Sequence, residues 1–89
     1  MAKAEISWRR IIDKGVKLQV YARRVGGEWR FFNREKRFDL WQAVKEPPLE
    51  DWLKLLDAVQ RRVTRRLLQP DDEQRLRQRI RERFPEVKV

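Results

Sequence analysis

From Val16 to Arg23 the chain alternates. Val16, Leu18, Val20 and Ala22 fall on one side, and Lys17, Gln19, Tyr21 and Arg23 on the other. A period of two is that of a half-buried β-strand. Gly26-Gly27 follows and supplies the two positive-φ positions that a two-residue hairpin turn requires. With the turn placed there, the register is set: Ala22 faces Phe31, Arg24 faces Trp29, Tyr21 faces Phe32 and Arg23 faces Arg30. A second turn around Asn33 to Lys36 would pair Phe31 with Phe38, Trp29 with Leu40, Phe32 with Arg37 and Arg30 with Asp39. Both hairpins sort the residues in the same way. Leu18, Val20, Ala22, Trp29, Phe31, Phe38 and Leu40 gather on one face; Lys17, Tyr21, Arg23, Arg30, Phe32, Arg37, Asp39 and Trp41 gather on the other. A slip of one residue would scramble this sorting. Arg34-Glu35 is a poor two-residue turn, so a longer loop is the alternative at that point.

The opening segment reads two ways. Trp8, Ile11 and Ile12 sit at helical spacing after Ser7, with Gly15 as a C-terminal cap, or the segment is an edge strand ending at Asp13-Lys14-Gly15. The strand or an irregular segment is preferred.

Beyond Pro47-Pro48 the period changes. Pro48 opens a helix, with Glu50 and Asp51 near its positive end. Leu49, Trp52, Leu53, Leu56, Val59, Val63 and Leu67 recur at spacings of three and four, with Leu55 beside this line. Gln69-Pro70 ends that helix and starts another, in which Leu76, Ile80 and Phe84 form a narrower stripe up to Pro85. The predicted fold class is α+β: a three-stranded antiparallel meander followed by two antiparallel helices packed on one face. It forms a single domain, with a sheet half over 1–46 and a helical hairpin half over 47–89. The other sheet face stays open to solvent.

Composition narrows what such a fold could do. The chain has 89 residues and a formal net charge of +9. The charge is spread over both halves: 12 basic against 6 acidic residues before the prolines, 11 against 8 after them. Charge so far from zero speaks to partners and solubility. Cysteine and histidine are both absent, which removes disulfides, thiolate chemistry and the usual zinc ligands. The hydroxyl nucleophile candidates besides Tyr21 are Ser7 and Thr64, and there is no Gly-rich phosphate loop, so a non-enzyme without cofactor or metal is expected. No apolar run approaches the roughly 20 residues of a membrane helix, and MAKAEISWRRIID lacks a secretory h-region. No membrane partner and a cytoplasmic location are the expectations.

The remaining candidates for chemistry are basic and aromatic. Lys17, Arg23, Arg30 and Arg37, with Tyr21, Phe32 and Trp41, would offer cations for phosphates and rings for bases on the open face. The plain alternative is a solvated face on which Arg stems lie over rings and Arg30 pairs with Asp39. Arg61, Arg62, Arg65 and Arg66 lie off the apolar stripe and could touch phosphates, or could simply suit the negative end of their helix. Arg75, Arg77, Arg79, Arg81 and Arg83 alternate, which on a helix fans them around the polar side rather than shaping a site. The acids Asp71-Asp72-Glu73 stand in a first helical turn, where stabilising the helix end is a better reading than metal binding. With 16 arginines against 7 lysines, bidentate contacts are favoured.

Leu18-x-Val20, Gly27-x-Trp29-x-Phe31 and Lys36-Arg37-Phe38, followed by a helix opening Leu49-Glu50-Asp51, resemble the arm-type DNA-binding domain at the front of many tyrosine-family integrases. The likeness spans roughly residues 15 to 60. It implies a three-stranded sheet laid in the DNA major groove, with Arg23, Arg30, Phe32 and Arg37 at contact positions. Two departures stand against it: Asn33-Arg34-Glu35 replaces the usual glycine turn, and no catalytic domain follows. The functional expectation is non-enzymatic binding of nucleic acid, DNA over RNA. The rival is a protein-interaction module or homodimer using Tyr21, Phe32 and Trp41 or the stripe of the first helix.

Overall fold

In the computed structural model, which describes residues 5–89, the chain divides into two compact units at the boundary between Pro47 and Pro48. The fold class is α+β. The first unit is an antiparallel sheet of four strands, one more than the alternation predicts: β1 (Glu5–Ile11), β2 (Lys17–Val25), β3 (Glu28–Arg34) and β4 (Gln42–Val44), each bonded to the next. Gly26 and Gly27 take φ of +58° and +85°, so the turn between β2 and β3 has the two left-handed centres that match strand twist. No atom crowds either Cα, so it is backbone dihedral rather than space that selects glycine here. The register follows from that turn. Tyr21 lies opposite Phe32, Ala22 opposite Phe31, Arg23 opposite Arg30 and Arg24 opposite Trp29, as expected.

The opening segment is strand, not helix. Ile6, Trp8 and Arg10 stand opposite Ala22, Val20 and Leu18, and Ser7 opposite Tyr21. The turn at Asp13–Gly15 places Lys14 at φ 56° and returns the Val16 N–H to the Asp13 carbonyl at 3.1 Å. One sheet face carries the buried side chains Ile6, Leu18, Val20, Ala22 and Phe31, each contributing about 1–3 kcal/mol according to the apolar area it removes from water. The ring edge of Trp8 meets Phe31 at 6.2 Å between centroids.

The second hairpin departs from the expected pairing. β3 runs on to Arg34, residues 35–41 form a loop, and Phe31, Phe32 and Asn33 pair with Val44, Ala43 and Gln42. Phe38 and Leu40 are therefore not on the apolar face: they are 91% and 83% exposed. Arg37 likewise sits in a turn instead of opposite Phe32. Local chemistry supports the longer loop, alongside the contacts of Arg34 described below. Lys36 to Asp39 closes as a turn, with the Asp39 N–H donating to the Lys36 carbonyl at 3.0 Å and the Lys36 N–H donating to the Asp39 carboxylate at 3.1 Å. Aspartate capping a turn outweighs the weak turn-forming tendency of Arg34-Glu35.

The second unit is a pair of helices, α1 (Leu49–Thr64) and α2 (Pro70–Arg83), packed against each other. In α1 the buried apolar positions are Trp52, Leu55, Leu56 and Val59, at the i, i+3, i+4, i+7 spacing of one helical face. Leu55 thus belongs to the core, whereas Leu53 and Leu67 of the expected stripe are exposed. In α2 Leu76 and Ile80 are fully buried. Asp72 accepts from the Gln69 N–H at 2.9 Å, and Glu73 binds Arg77 at 2.8 Å, so these acids stabilise the start of the helix. The end of α1 is a complete Schellman motif. Leu67 N–H donates to the Arg62 carbonyl at 2.8 Å and Arg66 N–H to the Val63 carbonyl at 3.0 Å, with Arg66 at φ +63°.

Glycine is the usual residue at that left-handed position. Replacing Arg66 with Gly is expected to raise unfolding free energy by about 0.5–1 kcal/mol, net of the entropy glycine adds to the unfolded chain. Urea denaturation checks this, and a lower midpoint would show that the Arg66 side chain carries more stability than its backbone costs.

Candidate functional site

The face of the sheet away from Val20 and Ala22 is built from alternate residues: Glu5, Ser7, Arg9 and Ile11 of β1, Lys17, Gln19, Tyr21, Arg23 and Val25 of β2, Glu28, Arg30, Phe32 and Arg34 of β3, and Ala43 of β4. Lys17, Arg23 and Arg30 are exposed, while Tyr21, Phe32 and Arg34 are half-buried.

An aromatic ridge runs across this face. The rings of Tyr21 and Phe32, a cross-strand pair, stack at 4.8 Å with 17° between planes. Trp41 comes from the loop before β4 and meets Tyr21 edge-on at 4.6 Å and 88°. The Arg34 guanidinium lies 4.1 Å from the centre of the Trp41 ring, donates to the Gln19 amide oxygen at 2.9 Å, and reaches the Asp39 carbonyl at 3.4 Å. These contacts tie the loop to the sheet. They also occupy ring faces: one face of Tyr21 is against Phe32 and one of Trp41 is against Arg34. The rings hold one another more than they offer platforms for bases.

Around the ridge cations outnumber acids: Arg9, Lys17, Arg23, Arg30 and Arg34 share the face with Glu5 and Glu28. Arg23 stands directly opposite Arg30 across the β2–β3 ladder, a like-charge juxtaposition that costs stability. Among the described residues neither makes an ion pair, and the acid opposite Arg23 on β1, Glu5, does not bond it. A shallow cleft of about 380 Å³ opens beside them, lined by Glu5, Ser7, Tyr21 and Trp41.

The structure therefore brings together six of the expected residues, Lys17, Tyr21, Arg23, Arg30, Phe32 and Trp41. Arg37 is separated from them by the turn. Arg34 and Arg9 were missed. Arg34 stands two places after Phe32, so its side of the strand was readable, but placing the turn at Asn33 ended the strand too early. Arg61, Arg62, Arg65 and Arg66 belong to the helical unit. Arg61 bonds Asp57 one turn away, Arg65 caps α1, and Arg66 follows the cap. The arginines of α2 are largely engaged: Arg77 with Glu73, Arg81 with the Val89 carbonyl at 2.9 Å, and Arg83 over the Trp52 ring at 5.4 Å. Among the described residues no three acidic side chains gather as a metal site, and no helix is long and apolar enough to cross a membrane. Compared with protein-family models, curated proteins and solved structures, the chain matches none of them.

Removing the Trp41 ring by substitution with Ala deletes both the edge contact to Tyr21 and the stack under Arg34, at an expected cost of about 1–2 kcal/mol in urea denaturation. Phe38→Ala, at a side chain that is 91% exposed, should stay within about 0.5 kcal/mol of the parent. Equal losses for the two would contradict the arrangement of the loop.

Proposed function

We propose that this chain is a non-enzymatic nucleic-acid-binding domain whose open sheet face contacts the phosphates of duplex DNA. The observation that carries this reading is the Arg23–Arg30 pair: two exposed cations held side by side, neither in an ion pair among the described residues although Glu5 and Glu28 share the face, with Arg9 and Lys17 further along it. A stable fold gains nothing from that juxtaposition, whereas a polyanion would turn it into a favourable one. Arginine also presents its donors as a planar fork that matches a phosphate.

The preference for duplex over single strands rests on the ridge, whose rings are largely turned toward one another and toward Arg34. Single-strand binding through stacking needs free ring faces. An antiparallel ribbon suits the wide major groove of B-form DNA, while the deep, narrow groove of A-form RNA excludes it. The integrase-arm likeness points the same way through Arg23, Arg30 and Phe32. The sheet has four strands where that family has three, and Arg37 does not lie on it.

Arg30→Glu separates function from folding. It replaces a like-charge cross-strand pair with an opposite one, so stability should rise by about 0.2–1 kcal/mol. Duplex affinity, read by fluorescence anisotropy, should fall at least about tenfold, and the salt dependence of the logarithm of the binding constant should flatten by about one unit or more. Unchanged affinity in this variant, or parent binding that ignores salt, would remove the reading.

A further inference from the structure

The loop between β3 and β4 has an architecture that the phosphate-binding face does not need. Its apex is the turn Lys36–Asp39, closed through backbone and side chain by Asp39 and held at 3.4 Å by Arg34. Its far end is anchored by Trp41 on Tyr21. At the apex, a braced support carries Phe38 with 91% of its surface in solvent, directly after the cations Lys36 and Arg37. The Phe38 ring therefore takes no part in the core and stands in solvent beside two cations.

Building on the reading of the sheet face as a DNA-contacting surface, we propose that Phe38 is a wedge that enters between adjacent base pairs while Lys36 and Arg37 take flanking phosphates. An apolar side chain inserted at a base step partly unstacks it and bends the duplex. The neighbouring apolar residue does not broaden the wedge into a membrane anchor. Leu40 is exposed as well, but it lines a cleft with Asn33, Arg34, Glu35, Asp39 and Gln42, so the surface beside Phe38 is largely polar. One ring is a weak hold on a lipid bilayer, where lasting attachment takes more than a single marginal signal. It is enough to open one base step.

The probe is a short duplex with 2-aminopurine replacing single adenines, a base whose fluorescence rises when it is unstacked. The parent chain is expected to bind with the salt dependence described above and to brighten the probe at one or a few positions. Phe38→Ala should keep the salt slope, lose the brightening and bind about tenfold more weakly, while Phe38→Leu keeps most of both. Parent binding without brightening, or equal brightening by Phe38→Ala, overturns the wedge and leaves the phosphate-contacting face standing. A parent chain that leaves the duplex unbound overturns both readings. Sedimentation with phosphatidylserine vesicles that Phe38→Ala abolishes, with duplex binding unchanged, would make the loop a lipid contact and overturn the wedge as well.

Discussion

Two consecutive left-handed backbone positions, Gly26 and Gly27, govern the first unit of this chain. With φ at +58° and +85° they close the β2–β3 hairpin in two residues, and apart from Asn or Asp few side chains adopt such conformations without strain. A two-residue turn admits a single register, and the register decides everything that is paired across it. Ala22 meets Phe31 in the core, Tyr21 meets Phe32 on the open face, and Arg23 meets Arg30. One inserted or deleted residue would send the apolar set to solvent and the cations inward, a state far too costly to compete. The charge conflict between Arg23 and Arg30 is tolerated because the register is held so firmly.

The open face shows arginine used in two ways. Arg34 is structural: its planar head stacks on Trp41, bonds Gln19 and reaches the loop backbone, so the residue joins β2, β3 and the loop. Among the described residues Arg23 and Arg30 make no comparable bonds, and both stay exposed. Local departures from best stability concentrate where a surface is kept for a partner. The same division holds in the helical unit, where Arg77, Arg81 and Arg83 are committed to Glu73, the Val89 carbonyl and Trp52. A high arginine count therefore does not translate into an equally large binding surface.

The exposed loop completes the contrast. Residues 35–41 hold two large apolar side chains out of the core, although the chain is small and short of buried apolar surface. The turn that does this is closed by Asp39 alone among the side chains of its own segment, with Arg34 bracing it from the strand. The turn is held by these bonds and its tip is apolar and cationic.

The elements governed by short-range rules were legible in the sequence. Alternation with a period of two places β2, the glycine pair sets its partner register, and the proline, acid and apolar spacing place α1 and α2. Five of the open-face residues, Lys17, Tyr21, Arg23, Arg30 and Phe32, follow from these rules by counting. The rest depended on competition between distant groups. The sequence alone could not choose between a tight turn at Asn33 and a loop to Trp41, because the choice turns on Arg34 finding Gln19 and Trp41, fifteen and seven residues away. For the same reason Phe38 and Leu40 look like core by pattern but lie in solvent, and Leu55 looks peripheral but is buried. Periodicity reports which residues could share a face; only tertiary contacts decide which face is covered and where a strand stops.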